Sequence, residues 1–237
     1  MFKADLHMHT TYSDGISTPK EMVDEAIKKR LKCICITDHD ETKGATEAMR
    51  YAYDKDILVI SGIELISTSG DILGINVKKI IPSGLSAKET VKQIRKAGGV
   101  AVIPHPFNRM LNGFWGGEKG LNALMPDGVE AFNATVLFGS SNKRAFAFSK
   151  KFDLPFTAGS DAHRKEFVGR GYVKIPTKIL TEKDVVDAIL SKQIEPCGEQ
   201  LTPFEILKNG SHANVKDIIN YLFLRKKNKK NYKKIIA

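Results

Sequence analysis

Residues 31–40 read Leu-Lys-Cys-Ile-Cys-Ile-Thr-Asp-His-Asp. Leu31–Thr37 is short and apolar throughout, the pattern of a strand covered on both faces. The stretch then turns abruptly polar at Asp38-His39-Asp40, so ionisable groups stand at the C-terminal end of a buried strand. Working back towards the N-terminus, Thr18-Pro19 opens a helix to about Arg30, with Thr18 as N-cap, Pro19 in the first helical position and Glu21 in the third. Phe2–His7 before it reads as a strand. In the other direction the spacing predicts a helix over Lys43–Tyr53, a strand over Ile57–Leu65, a turn at Ser67–Asp71 and a return strand Ile72–Val77. A helix Ser86–Ala97 and a strand Val100–Ile103 follow, then a strand Gly128–Phe132 and a helix Ser140–Phe152. Strands Pro155–Ser160 and Gly171–Ile175 and a helix Thr181–Ser191, capped by Thr181 with Asp184, complete the series. This alternation predicts an α/β protein with right-handed crossovers, a mostly parallel sheet and a barrel slightly smaller than the eight-fold kind.

The intervals are less regular. Residues 107–127, rich in Gly and Asn around Trp115, are expected to be a long loop, a candidate lid. Residues 195–210 read as an extended segment and short turn, and Asn214 opens an amphipathic helix with Val215, Ile218, Ile219 and Leu222 on one face. The domain reading is therefore a barrel over 1–195 and a C-terminal extension over 196–237, whose helix packs on the barrel or serves oligomer contacts.

A chain of 237 residues, 42% of them hydrophobic, can bury a full core without disulfides, and its three cysteines make no disulfide framework. No apolar run is long enough to span a membrane. Met1–His7 carries Lys, Asp and His where a signal peptide needs an apolar core, so a soluble, cytoplasmic protein is expected. The formal charge is +10, but Lys216–Ala237 holds eight Lys or Arg against one acid, leaving the first 215 residues at only +3. The basic tail is either a solvated terminus or a contact for a nucleic-acid backbone.

Five of the six histidines, His7, His9, His39, His105 and His163, fall at the C-terminal ends of predicted strands, the edge where barrels and open parallel sheets build their sites. The acids Asp5, Asp14, Asp38, Asp40, Glu64 and Asp161 fall at the same edge. Asp5, His7 and His9 alternate, so they share one face of an extended strand. Carboxylates and imidazoles converging in this way require cations to offset desolvation and repulsion. The cysteines lie elsewhere, so the donor set is nitrogen and oxygen, suited to Zn²⁺, Mn²⁺ or Fe²⁺.

Asp5-Leu-His7-Met-His9 with Ser13-Asp14-Gly15, Thr37-Asp38-His39, Gly62-Ile-Glu64, Pro104-His105-Pro106 and Gly159-Ser160-Asp161-Ala162-His163 resemble, in order, the motif series of the PHP (polymerase and histidinol phosphatase) family. The resemblance implies a distorted (β/α)7 barrel holding two or three divalent ions and hydrolysing a phosphate ester. By position it implies His7, His9, Glu64 and Asp161 on a first ion, Glu64 and His105 on a second, and Asp14, His39 and His163 on a third. One departure stands out: where many members carry a His before a short Ile/Leu-Leu-Gly stretch, this chain has Asp71. Asp71 is either a ligand of the second ion or an Asx-type turn residue.

The expected chemistry is in-line attack on phosphorus by a metal-activated hydroxide, with Glu64 bridging two ions and Asp161 among the catalytic ligands. Arg109 is expected to grip the phosphate, with Arg164, Arg170 and Asn133 as further candidates, and Asp5 and Asp38 to accept hydrogen bonds from the ligand imidazoles. The expected substrate is a small phosphorylated metabolite or nucleotide. The alternatives are a nuclease or RNA-processing factor that holds nucleic acid through the basic tail, and a non-enzymatic module.

Overall fold

The computed structural model describes residues 1–137, 139–177 and 181–210. The amphipathic helix and basic tail read from the sequence, with His212, lie outside these residues.

Among the described residues nine strands form one sheet in the order β7-β6-β5-β4-β3-β2-β1-β8-β9. In chain order they are β1 (Phe2–Asp5), β2 (Cys33–Ile36), β3 (Leu58–Ser67), β4 (Gly70–Ile75), β5 (Val100–Ile103), β6 (Gly128–Asn133), β7 (Phe156–Gly159), β8 (Gly171–Ile175) and β9 (Glu195–Gly198). The helices are α1 (Pro19–Lys28), α2 (Lys43–Tyr51), α3 (Ala87–Lys96), α4 (Gly117–Leu124), α5 (Gly139–Lys151), α6 (Glu182–Leu190) and α7 (Pro203–Asn209). β2 is buried on both faces, as its composition requires. Ile34 and Ile36 pack with Met22 and Val23 of α1 and Ala45 and Ala48 of α2. Cys33 and Cys35 pack with Ala4, Ile60, Leu73, Val102, Ala158 and Val173, all from strands, which marks this set as the barrel interior. The capping residues read from the sequence act as expected: Thr18 and Thr181 close reciprocal boxes with Glu21 and Asp184, and Ser86 accepts from the Glu89 amide.

The sheet curls until its flanks meet. Beyond the ends of β1 and β7 the chain pairs directly, Met8 with Ala162, through Asp161 N–H to His7 O at 2.8 Å and His9 N–H to Ala162 O at 2.9 Å. The barrel is thus nearly closed, and the closure lies at the rim that carries the histidines.

Three expectations are corrected. The sheet is mixed rather than mostly parallel: β3–β4–β5 and β1–β8–β9 pair antiparallel, while β1–β2–β3 and β5–β6–β7 pair parallel. The link between β3 and β4 is two residues long, which permits only a hairpin. Residues 107–127 contain a 3-10 turn at Arg109–Leu111 and helix α4. Gly116 and Gly120 lie against the Phe114 ring, where any Cβ would crowd it, so these glycines mark close packing and not an irregular loop. In residues 195–210 the expected extended segment is β9, but the expected short turn is the capped helix α7, with Leu201 and Ile206 in the core beside Met8. No helix among the described residues is long and apolar enough to cross a membrane.

Where β8 passes β7, a Cβ on Gly171 would overlap the Gly159 carbonyl oxygen. We expect Gly171→Ala to cost about 3 kcal/mol, because backbone on both sides cannot yield as a side chain would. Urea unfolding checks this; a variant as stable as the wild type would mean that the seam can open.

Candidate metal centre

The rim continues past the named strands. His39 bridges to Glu64, with Asp40 N–H donating to Glu64 O at 2.9 Å, so the chain just beyond β2 and the second half of β3 carry these two side chains side by side. The β1–β7 closure brings Asp161 to His7 and His9 in the same way.

Four donor atoms then converge. His7 Nε2 and His9 Nε2 are 3.1 Å apart, and they lie 3.2 and 3.1 Å from Glu64 Oε2 and 3.6 and 3.4 Å from Asp161 Oδ1. A tetrahedral ion with bonds of about 2.0–2.2 Å holds its ligands about 3.4 Å apart, so this spacing is that of a cage. The other Glu64 oxygen, Oε1, receives no hydrogen bond although buried, and stands 3.5 Å from His105 Nε2. Asp71 completes a group with Glu64 and His105 whose donor atoms lie within 4.8 Å of one another. On the outer side, Asp14 Oδ2 is 3.1 Å from His163 Nε2 and 3.8 Å from His39 Nε2. His9 stacks between His39 and His163 with ring centroids 4.7 and 4.4 Å away. His9, His39, Glu64, Asp71, His105, Asp161 and His163 line, together with Leu111, a cavity of about 20 Å³.

Burial opposes every charge here. It pushes Asp5 up to about 6, and Asp71, with the Glu64 charge added, up to about 7. Against the same burial, His7 and His39 hold Glu64 well below the carboxylate range, and His7 and His9 do so for Asp161. Burial would strip the imidazoles of protons. Yet Asp161, Glu64 and Glu130 hold His7 well above its usual value, and hydrogen bonds with Asp161 and Glu64 raise His9 to about 10. Two cationic rings with nitrogens 3.1 Å apart repel each other. One divalent ion among the same donors supplies the same charge and removes that repulsion. The donor set, its spacing and the unsatisfied Glu64 oxygen therefore fit hard to borderline cations such as Zn²⁺, Mn²⁺ or Fe²⁺.

The supporting carboxylates differ from those expected. Asp5 accepts from the backbone amides of Ser160 at 2.9 Å and Gly169 at 2.8 Å, and Asp38 from Thr10 and Ser13; neither touches an imidazole. That role falls to Glu130 on β6, which the sequence reading passed over. Its Oε1 lies 3.0 Å from His7 Nδ1, and its Oε2 accepts from the His105 amide and from Asn133 Nδ2, both at 2.9 Å. Asn133 also donates to Asp161 Oδ2 at 3.2 Å. An acid two positions after the Gly that opens an otherwise apolar strand was the available signal.

Asp71 lies in β4, not in a turn, and accepts from Asn112 Nδ2 at 2.6 Å. Arg170 is engaged away from the pocket, with Glu205 Oε1 at 3.0 Å and the Gln200 carbonyl at 3.2 Å. The Nε of Arg164 is buried without a hydrogen bond. Arg109 opens the 3-10 turn that leads to Leu111, and its side chain lies outside the described part of the structure.

Comparison with known proteins agrees with this geometry. The sequence profile described as "PHP domain" matches residues 5–148, and that described as "PHP-associated" matches residues 139–194. An uncharacterized protein of Methanocaldococcus jannaschii is 35% identical over 143 residues, 56% of this chain and 82% of that protein. A 5'-3' exoribonuclease of Haemophilus influenzae is 33% identical over 105 residues, 42% of this chain and 38% of its own. A 3',5'-nucleoside bisphosphate phosphatase of Chromobacterium violaceum is 30% identical over 99 residues, 40% of this chain and 35% of its own. In fold, the chain is similar to a two-domain Bacteroides vulgatus protein containing a predicted PHP-like metal-dependent phosphoesterase, with a TM-score of 0.71 and 20% identity over 88% of this chain and 68% of that one. The chain belongs to the PHP family.

Proposed function

We propose that the protein hydrolyses the phosphate ester of a small phosphorylated metabolite or nucleotide. The observation that carries this reading is Glu64, whose two oxygens face two different donor sets across one cavity. In this reading His7, His9, Glu64 and Asp161 hold a first ion, and Glu64, His105 and Asp71 a second. Asp14, His39 and His163 hold a third. When bound, the ions supply Lewis acidity towards the phosphoryl oxygens and lower the pKa of a water to the neutral range.

The chain's own residues do the placing. Glu130 fixes the His7 ring and the His105 backbone together, and Asn133 fixes Asp161. Asn112 holds Asp71 towards the cavity, and Asp38 ties Thr10 and Ser13, which anchors the loop carrying Asp14. Arg109, two residues before cavity-lining Leu111, is the proposed phosphate grip. A cavity of about 20 Å³ takes a water or the tip of a phosphoryl group, so the organic part of the substrate stays on the rim. The names of the Chromobacterium and Haemophilus relatives support a nucleotide as that organic part. The second of them also favours the reading of a nuclease that takes the end of an RNA strand.

Three outcomes are expected. Loaded with Mn²⁺, the wild type hydrolyses at least one of a 3',5'-bisphosphonucleoside, a 5'-phosphorylated oligonucleotide, histidinol phosphate or a sugar phosphate, and His9→Ala loses about 1,000-fold or more in kcat. Inactivity on the whole panel, or an unaffected variant, would sink the reading, and preference between the first two substrates separates phosphatase from nuclease. Second, because His9 is raised to about 10 without a cation, Mn²⁺ binding at pH 7 releases protons and weakens as pH falls. Calorimetry in buffers of different ionisation enthalpy measures this, and buffer-independent heats would contradict it. Third, Glu130→Ala strands several buried donors, costing roughly 3 kcal/mol in urea unfolding and about 10–100-fold in Mn²⁺ affinity; wild-type values for both would remove Glu130 from the site.

A further inference from the structure

We propose that Asn209, on α7, the last helix of the described residues, is a positioning residue that completes the site by setting Asp161 and His163. The inference rests on the donor roles proposed above for those two residues. Asn209 is fully buried, and it stands beyond residue 194, where the matched family profiles end. Its side-chain amide works like the edge of a missing strand. Oδ1 accepts from the His163 backbone N–H at 2.9 Å, and Nδ2 donates to the Asp161 carbonyl at 2.9 Å.

That carbonyl has a second duty. It lies 3.0 Å from His163 Nδ1. A carbonyl only accepts, so Nδ1 carries the proton of the neutral ring, and Nε2 keeps its lone pair for the side where Asp14 Oδ2 stands at 3.1 Å. Asn209 thus grips the group that fixes the tautomer and direction of His163. It also grips a strained turn, since Asp161 has φ of +53°, a left-handed conformation uncommon for a residue with a side chain. Thr135 Oγ1, which donates to the Ser160 and Asp161 carbonyls at 3.1 and 3.3 Å, braces the same turn.

α7 is locked in place for this task. Thr202 and Glu205 close a capping box, Arg170 holds Glu205, and Ile206 is buried in the core. Freeing α7 would leave the buried His163 N–H without its partner and take one of its donors from the Asp161 carbonyl.

The test uses the full chain as wild type, N209D, N209S and K208A. Lys208 is an exposed neighbour on α7 and serves as control. Mn²⁺ binding is followed by calorimetry and electron paramagnetic resonance, and melting of the metal-free protein reports folding. In N209D the carboxylate still accepts from His163 N–H but cannot donate to Asp161 O. We expect it to fold, to bind its weakest Mn²⁺ at least ~10-fold less tightly, and to lose kcat by a similar factor with KM near that of the wild type. N209S replaces it should N209D not fold, with the same expectation. K208A should match the wild type. Wild-type Mn²⁺ binding and kcat in the folded variant would overturn the proposal. So would failure of both Asn209 variants to fold, which would make Asn209 a folding residue, and so would a wild type that binds no Mn²⁺. A wild type that binds Mn²⁺ yet hydrolyses nothing defeats the substrate reading alone, because the Mn²⁺ affinities still decide the role of Asn209.

Discussion

The structure depends on how a barrel can bury Glu64 and Asp161, at 2% and 4% exposure, with no lysine or arginine paired to either among the described side chains. Taking a carboxylate out of water costs several kcal/mol unless positive charge and hydrogen bonds replace the lost hydration. Here the neighbours are imidazoles, which can carry a proton or give a lone pair to a cation. The rim is therefore a set of donors whose charge balance is completed from outside the chain. That requirement explains why Glu64 Oε1, like Nδ1 of the neighbouring His9 and His105, is buried without a hydrogen bond.

Closing the barrel and assembling the donors are one event. Asp161 reaches His7 and His9 because the chain beyond β7 pairs with the chain beyond β1, and the backbone bends sharply to do so. Asp5 ties this junction together. Its two oxygens accept the amides of Ser160, next to Asp161, and of Gly169, which leads into β8. Burial raises its pKa to about 6, a cost of holding two separate turns against one strand with a single side chain.

Much of this was legible in the sequence, and the rest failed for identifiable reasons. The twice-covered strand β2, the helix caps at Thr18, Ser86 and Thr181, and the histidines at strand ends follow from local chemistry. The β3–β4 hairpin follows from the turn and return strand, but the antiparallel pairings of β4 with β5 and of β8 with β1 and β9 were missed because strand direction is set by the length of the connection and by partners far along the chain. Helix α7 was missed although Thr202-Pro203-Phe204-Glu205 repeats the pattern Thr18-Pro19-Lys20-Glu21 that had identified α1. The difference lay in what followed: the run after Thr202 is too short to show helical periodicity. The acids were found as a set but not sorted by role, because spacing places a carboxylate on a face without saying whether an imidazole or a backbone amide will meet it.

That sorting is where structure adds most. Asp5, Asp38 and Glu130 are all buried, yet only Glu130 meets an imidazole; the other two hold backbone and hydroxyl groups. Each arrangement fixes geometry from a different distance: Glu130 through the ring of His7, Asp5 and Asp38 through the turns that carry Asp161 and Asp14. Asn209 acts at a third level, from a helix near the far end of the described chain. Parts drawn from residues 5 to 209 must therefore be in register before the donors meet. The unit that binds and turns over substrate is thus larger than the run of motifs that first suggested it.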